Sequence, residues 1–120
     1  MTDCLFCKII DKKIDAEIVF EDARSLAFRD IHPQAPLHVL VIPKKHVASI
    51  NDLTPAHEPD LGHLFLVAGQ VAKQEGLEER GYRTVMNCGP DAGQSVSHVH
   101  LHVLGGTRLG WPPFPQGADR

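Results

Sequence analysis

Three histidines near the C-terminal end of the chain, His98, His100 and His102, alternate with apolar residues. Strict alternation predicts a half-buried strand, in which the imidazoles share one open face and the intervening side chains point into a core. Imidazoles titrate near physiological pH and can be nucleophiles, acid–base groups or metal ligands. This segment is therefore the first candidate for a chemical centre.

A glycine-rich loop, residues 87–95, comes directly before the first histidine. Its glycines allow backbone amides to approach an anion closely, and Ser95 adds a hydroxyl donor. Alone, such a loop is typical of an ordinary connection. Beside three imidazoles, it predicts a phosphate-binding loop.

A Cys-x-x-Cys pair, Cys4 and Cys7, lies at the N-terminus. Two cysteines at this spacing form half of a zinc site and need two further ligands. A redox-active pair is the less favoured interpretation, because no helix in a βαβ context follows. The chain has three cysteines, an odd number that argues against a disulfide framework and for a reducing compartment.

Composition limits the remaining possibilities. The 120 residues fit one domain, and 42% hydrophobic and 22% charged residues are ordinary for a globular protein. A net charge of −3 gives no basic surface for nucleic acid. No apolar run approaches 18 residues and no signal peptide is apparent, so we expect a cytoplasmic protein without membrane contact.

The hydrophobic pattern predicts five strands and one long helix. The strands are expected at residues 17–22, 26–28, 38–42, 82–87 and 98–104, and the helix at about 60–75, with a start after Pro59. This arrangement predicts an α+β domain with an antiparallel meander. The proline-rich tail, residues 111–120, is expected to be irregular.

The histidine segment, together with Gly105-Gly106, resembles the signature of the histidine triad (HIT) family. Residues 93–95, 30–36, 41–46 and 111–113 are similar to its Hint branch, and the resemblance runs from about Cys4 to Trp111. It implies a single HIT domain over residues 1–110, followed by the tail. The implied fold is a five-stranded antiparallel sheet with one long helix and a short N-terminal helix.

The resemblance implies a purine nucleoside phosphoramidase. His100 would attack the α-phosphorus and form a nucleotidyl-histidine intermediate, which water then hydrolyses to AMP. His102 and His46 would hold the phosphate oxygens, His98 would orient the nucleophile, and Ser95 would donate to the developing charge. No metal is required for this chemistry.

The same resemblance implies the nucleotide contacts. Asp30 would accept the ribose hydroxyls, and Asn87 would donate to the ribose-phosphate edge. The other implied contacts are an apolar base pocket, the phosphate loop and a tryptophan from the tail: Phe6, Ile9, Phe28, Ile31, Gly93, Gln94, Ser95 and Trp111. Simple core packing is the alternative for the apolar four, above all for Phe28.

Two further expectations come from related enzymes. These combine a Cys-x-x-Cys pair with two histidines, so a structural zinc would be held by Cys4, Cys7, His46 and His98. The family forms a homodimer through the long helix and the following strand, here residues 61–87, and the tail approaches the partner's active site.

Two other functions stay open at this level. Histidines on a strand could instead hold a catalytic zinc with an open coordination position. Alternatively, the protein could be a nucleotide-dependent interaction module in which hydrolysis is incidental.

Overall fold

The computed structural model describes residues 3–114. Two short 3₁₀ turns, Ile50–Asp52 and Pro55–His57, precede the long helix. The helices and strands are α1 (Leu5–Ile10), β1 (Ile18–Glu21), β2 (Ser25–Arg29), β3 (Leu37–Pro43), α2 (Glu58–Gln74), β4 (Tyr82–Val85) and β5 (Leu101–Gly105). Among residues 3–114, no helix combines the length and the apolar character needed to span a bilayer.

The five strands form one antiparallel sheet in the order β1-β2-β3-β5-β4. The predicted α+β class, strand number and helix are therefore confirmed. The simple meander is wrong, because β5 inserts between β3 and β4. The fully buried β3 and the alternately buried β5 take the centre, whereas β4, which has no fully buried residue, forms an edge.

The sheet buries both of its faces at β3. Helix α2 covers one face with a stripe at helical spacing, Leu64, Val67, Ala68, Val71 and Ala72. On the other face, Phe6 and Ile9 of α1 pack against residues of β2 and β3. A strand covered on both sides needs mainly apolar residues, which explains why every residue of β3 except His38 is apolar.

Helix α2 begins at Glu58, earlier than predicted, with Pro59 inside its first turn. A first-turn amide has no intrahelical acceptor, so the missing N–H of proline costs nothing there.

A glycine turn ends β5. Gly106 has φ +87°, and a Cβ at this position would lie 2.9 Å from Cβ of Pro36. Only glycine fits this turn without displacing the neighbouring chain. After the turn, the chain stays close to the sheet, because the carbonyl of Gly110 accepts a hydrogen bond from Arg83 of β4.

Candidate active site and metal centre

The histidine segment is only partly a strand. β5 starts at Leu101, so His98 and His100 precede it, and both are buried. The predicted open face with three imidazoles is therefore wrong. The reason lies in the register: β3 pairs Val41 with Leu101, which places Pro43 opposite Val99. Proline has no N–H to extend the ladder, and the segment instead continues by a bond from Val99 N to the carbonyl of Val47.

The orientation of His100 is fixed by the main chain. Its Nδ1–H donates to the carbonyl oxygen of His98 over 2.7 Å. Because a carbonyl can only accept, Nδ1 carries the proton and Nε2 keeps a free lone pair. The ring of Phe6 contacts His100 edge-on at 5.1 Å. His100 is thus held in the tautomer that a nitrogen nucleophile requires.

A chain of hydrogen bonds fixes His102 in the opposite tautomer. The backbone N–H of Gln34 donates to Nδ1 of His38 over 3.0 Å, so the proton of His38 lies on Nε2. His38 Nε2 donates in turn to Nδ1 of His102 over 2.8 Å. His102 therefore presents an Nε2–H donor. Asp30 lies 3.5 Å from Nε2 of His38, close enough to attract the same proton.

Burial keeps these imidazoles neutral. It lowers the pKa of His102 to about 4, helped by the neighbouring His100 and His38 and opposed by Asp30. Burial also lowers the pKa of His38, again against the attraction of Asp30. Neutral rings at pH 7 are what the hydrogen-bond chain needs, since each ring must both donate and accept.

A second cluster joins Cys4, Cys7, His46 and His98, whose ligand atoms all lie within 4.8 Å of one another. Nδ1 of His98 is 3.4 Å from Sγ of Cys4, 3.7 Å from Sγ of Cys7 and 3.1 Å from Nδ1 of His46. Nδ1 of His46 lies 3.4 Å from Sγ of Cys7. The structure thus brings all four predicted ligands together.

These separations fit a tetrahedral zinc site. With Zn–S and Zn–N bonds of about 2.3 and 2.05 Å, tetrahedral angles place S and N about 3.6 Å apart and two nitrogens about 3.3 Å apart. The observed distances are close to both values. His98 also donates from Nε2 to the carbonyl of Pro43 over 2.9 Å, which leaves Nδ1 free as a ligand.

Helix α1 links the two centres. Cys4 is its N-cap, and its sulfur accepts from the backbone N–H of Cys7. Phe6, between the two cysteines, contacts both His98 and His100 with its ring. His98 itself belongs to both centres: its ring lies in the cysteine cluster, and its carbonyl holds His100.

The loop before the histidines is braced by one of its own side chains. Gln94 Oε1 accepts from Gly89 N, and its Nε2 donates to the carbonyls of Ala48 and Val96. Every polar atom of this amide is used, so Gln94 holds the loop in place. Ser95 is exposed and lines a cleft of about 460 Å³ together with His46.

The residues predicted to contact the nucleoside are divided between core and surface. Phe6, Ile9 and Phe28 are buried in the cluster under α1, whereas Ile31 is 83% exposed. Asp30 accepts the backbone N–H of His32 with one oxygen. The predicted ligand contacts of these residues, and those of Asn87 and Gly93, stay predictions.

The first part of the tail is attached to its own sheet. Arg83 of β4 donates from Nη2 to the carbonyl of Gly110 over 2.7 Å, and its guanidinium lies 5.6 Å from the ring of Trp111. Residues 111–114 form no helix or strand, as predicted, and Trp111 is 79% exposed. The remainder of the predicted tail, residues 115–120, lies outside the described residues.

Sequence reasoning missed His38. The available signal was an imidazole inside an otherwise apolar, fully buried strand, where a polar side chain needs a partner. The partner, His102, lies 64 residues away in sequence.

Comparison with known proteins supports these observations. The HIT domain matches residues 11–109. The chain belongs to the HIT family. A crystal structure of a HIT family hydrolase from Legionella pneumophila Philadelphia 1 is 52% identical, with a TM-score of 0.92, and the alignment covers 93% of this chain and 100% of that one. A HIT-like protein of Synechococcus elongatus is 55% identical over 92% of this chain and 96% of its own length. The 14 kDa zinc-binding protein of Zea mays is 51% identical over 91% and 86%.

Proposed function

We propose that this HIT protein hydrolyses purine nucleoside phosphoramidates to the nucleoside monophosphate and the free amine. The observation that carries the proposal is the bond from His100 Nδ1–H to the carbonyl of His98, which leaves Nε2 as an available nucleophile. The proposed reaction is a specific form of hydrolysis, the activity that the name of the Legionella relative gives.

The reaction proceeds in two displacements. The lone pair of His100 Nε2 forms a bond to the α-phosphorus while the P–N bond to the amine breaks. The departing nitrogen takes up a proton from the solvent as the P–N bond breaks, because a neutral His102 could not give up its Nε2–H without becoming an imidazolate. That N–H, which the His38 chain leaves pointing outward, instead donates to a phosphoryl oxygen. Water then attacks the nucleotidyl-histidine, releases its proton to the solvent, and frees His100 and the monophosphate.

The loop supports the charge that develops on the phosphoryl oxygens. Ser95 is exposed in the cleft that it shares with His46 and can donate its hydroxyl. His46 was also expected to hold an oxygen, but its Nδ1 faces Cys7 and His98. We therefore assign His46 to the metal cluster and the phosphate contacts to His102 and Ser95.

The Hint branch is favoured by Gly105-Gly106, which follows the histidines and makes a turn that a larger residue would break. With this branch come the preference for a purine and the contact of Asp30 with the ribose.

We also propose that Cys4, Cys7, His46 and His98 hold a structural zinc. Four protein ligands close a tetrahedral site, so the metal would position His98 and supply no open coordination site for substrate. The zinc-binding name of the Zea mays relative is consistent with this assignment.

A catalytic metal at the second cluster of possible ligands, Asp30, His38 and His102, fits less well. Two nitrogens on one zinc would lie about 3.3 Å apart. His38 and His102 approach to 2.8 Å, which is a hydrogen-bond distance.

We also propose that two copies of the chain form a homodimer. β4 leaves an open sheet edge, which proteins usually cover, and the neighbouring α2 exposes Phe65 and Leu66. Both features lie within the predicted interface, residues 61–87.

The decisive experiment is a turnover assay with adenosine 5′-phosphoramidate against a dinucleoside polyphosphate. The phosphoramidate should be strongly preferred. His100→Ala should abolish turnover while AMP still binds. In the wild type, the expected intermediate is a nucleotide joined to His100 by a phosphorus–nitrogen bond. It should be trapped by a quench that avoids acid. His57→Ala, which removes an imidazole before α2, is the control and should keep its activity.

Faster turnover of the dinucleoside polyphosphate would refute the substrate class. A trapped nucleotide attached to His98 or His102 would refute the assignment of His100 as the nucleophile.

A further inference from the structure

The two cysteines of the metal cluster can be reached by a small solute. Cys4 and Cys7 are both half-buried, and Cys4 lines the cleft of about 460 Å³ together with His46 and Ser95. None of the lining residues belongs to segment 61–87, the proposed dimer interface. Cysteines that react with oxidants are typically accessible and lie beside a second thiol, and this pair meets both conditions.

The two sulfurs are also close enough to pair. They lie within 4.8 Å of each other, on the first turn of α1, where Cys4 is the N-cap. Residues three apart on a helix have Cβ atoms roughly 5–6 Å apart, against about 3.5–4.5 Å in a disulfide. A bond between Cys4 and Cys7 therefore requires this turn to tighten by roughly 1–2 Å.

Bound zinc and a disulfide are alternatives at this cluster. Zinc is bound by thiolates, and the sulfurs of a disulfide no longer carry that charge. Oxidation thus removes two of the four proposed ligands. The remaining pair, His46 and His98, supplies only half of a tetrahedral site.

A change in the first turn of α1 reaches the catalytic histidine through Phe6, which lies between the cysteines. Its ring contacts His98 at 5.9 Å and His100 at 5.1 Å, both edge-on. Phe6 is buried, and it also packs against Phe28 at 5.4 Å, so it has no free space in which to absorb a shift. Loss of the metal acts on the same point, because the carbonyl of His98 holds Nδ1–H of His100.

We propose that Cys4 and Cys7 are a reversible oxidation site for hydrogen peroxide, whose disulfide releases the zinc and lowers the activity of His100. The proposal rests on the zinc site and the hydrolysis proposed above, and it adds their regulation. It differs from disulfide-exchange catalysis, for which the βαβ context is missing, because the pair here acts on its own active site.

The oxidation takes place in two steps. One thiolate attacks an oxygen of the peroxide, the O–O bond breaks, and a sulfenic acid forms while hydroxide leaves. The second thiolate attacks this sulfur, the S–O bond breaks, and the S–S bond forms as a second hydroxide leaves. Both hydroxides take up protons from the solvent. Two electrons pass from the sulfurs to the peroxide, and the zinc ion leaves with its charge unchanged. A thiol reductant reverses the reaction by exchange.

The test is treatment of the zinc-loaded full chain with a small molar excess of hydrogen peroxide. Zinc should be released to the indicator 4-(2-pyridylazo)resorcinol, the chain mass should fall by about 2 Da, and peptide mapping should link Cys4 to Cys7. Histidine-selective ¹⁵N spectra should show a shift of the ring nitrogens of His100. Phosphoramidate turnover should fall by about 10- to 100-fold, as for the loss of an outer-shell partner, and should recover with dithiothreitol and zinc.

Cys88→Ser is the matched control, because it keeps both cysteines of the cluster and should respond like the wild type. Three results would overturn the proposal: a zinc-loaded protein that keeps both thiols reduced, a disulfide that involves Cys88, or unchanged His100 signals after Cys4 and Cys7 have been linked. A chain without zinc before treatment would refute the zinc site and, with it, the release of metal. If the reduced protein fails to hydrolyse the phosphoramidate, the proposed reaction is wrong, whereas the zinc, mass and NMR measurements still decide on the oxidation site.

Discussion

Replacement of both cysteines of the metal cluster, Cys4→Ser/Cys7→Ser, tests whether zinc belongs to the folded protein. Serine is as good an N-cap as the thiol of Cys4, so α1 keeps its start. The substitution therefore removes metal ligands with little other change. Any loss of stability can be read as loss of the metal.

The expected size follows from linkage. A metal present at 100 times its dissociation constant adds about 2.7 kcal/mol to the free energy of unfolding. A domain of 120 residues has an unfolding entropy of roughly 0.25 kcal/mol per kelvin, so each kcal/mol shifts Tm by about 4 °C. We expect the double variant to melt about 10 °C below the wild type in zinc-containing buffer.

Calorimetry under reducing conditions, with metal analysis of the same samples, measures both effects. The wild type should carry one zinc per chain and lose the same stability on chelation, whereas the double variant should respond to neither zinc nor chelator. Cys88→Ser is the matched control, because this third cysteine lies outside the cluster. Equal melting of both variants, or a wild type insensitive to chelation, would refute the zinc site.

Four shorter predictions follow. In steady-state kinetics, His38→Ala should lower kcat by about 10- to 100-fold with a smaller change in KM. His38→Gln should restore part of the lost kcat, because the glutamine amide can donate to His102 in place of the imidazole Nε2–H. Equal rates for the two variants would count against the hydrogen-bond chain. The folded protein holds His102 neutral, with a pKa of about 4 against an ordinary 6.5. Between these values it binds fewer protons than the unfolded chain, so it loses stability as pH falls from 6.5 towards 4. The loss should be about 1 kcal/mol at pH 5.5, and thermal melts of His102→Gln should show a shallower pH dependence. Truncation before Trp111 should leave hydrolysis of a small phosphoramidate nearly intact but weaken discrimination among aromatic amines, and an unchanged ranking of such substrates would exclude a role for the tail. Light scattering should give about twice the chain mass of 13.2 kDa, and Leu66→Asp should shift it towards the monomer.

The sequence predicted the elements of the fold better than their order. The pattern of apolar and β-branched residues is a local property, and it located all five strands to within a few residues. The neighbours of β5 depend on how α2 crosses the sheet, which no local pattern records. Pairing of β5 with β3 therefore became visible only in the structure.

The histidine segment shows the same limit at the site. Alternation favoured a strand from His98 onward, but β5 starts only at Leu101. Pro43 lies across the ladder from Val99, 56 residues earlier in sequence, and has no N–H to extend the pairing. The proximity of Cys4, Cys7, His46 and His98 was predicted correctly, because cysteine spacing is a strong signal and the resemblance supplied the two histidines. His38 was missed because its role depends on a contact with a distant strand.

The hydrogen-bond chain to His102 begins at a main-chain atom, the N–H of Gln34, and not at a side chain. Gln34 itself is exposed, so a scan of all substitutions at this position should find nearly every amino acid tolerated. Proline is the exception, since it alone lacks the N–H that fixes the tautomer of His38. Position 34 would thus look unimportant in an alanine scan although the proton at the reaction centre depends on it.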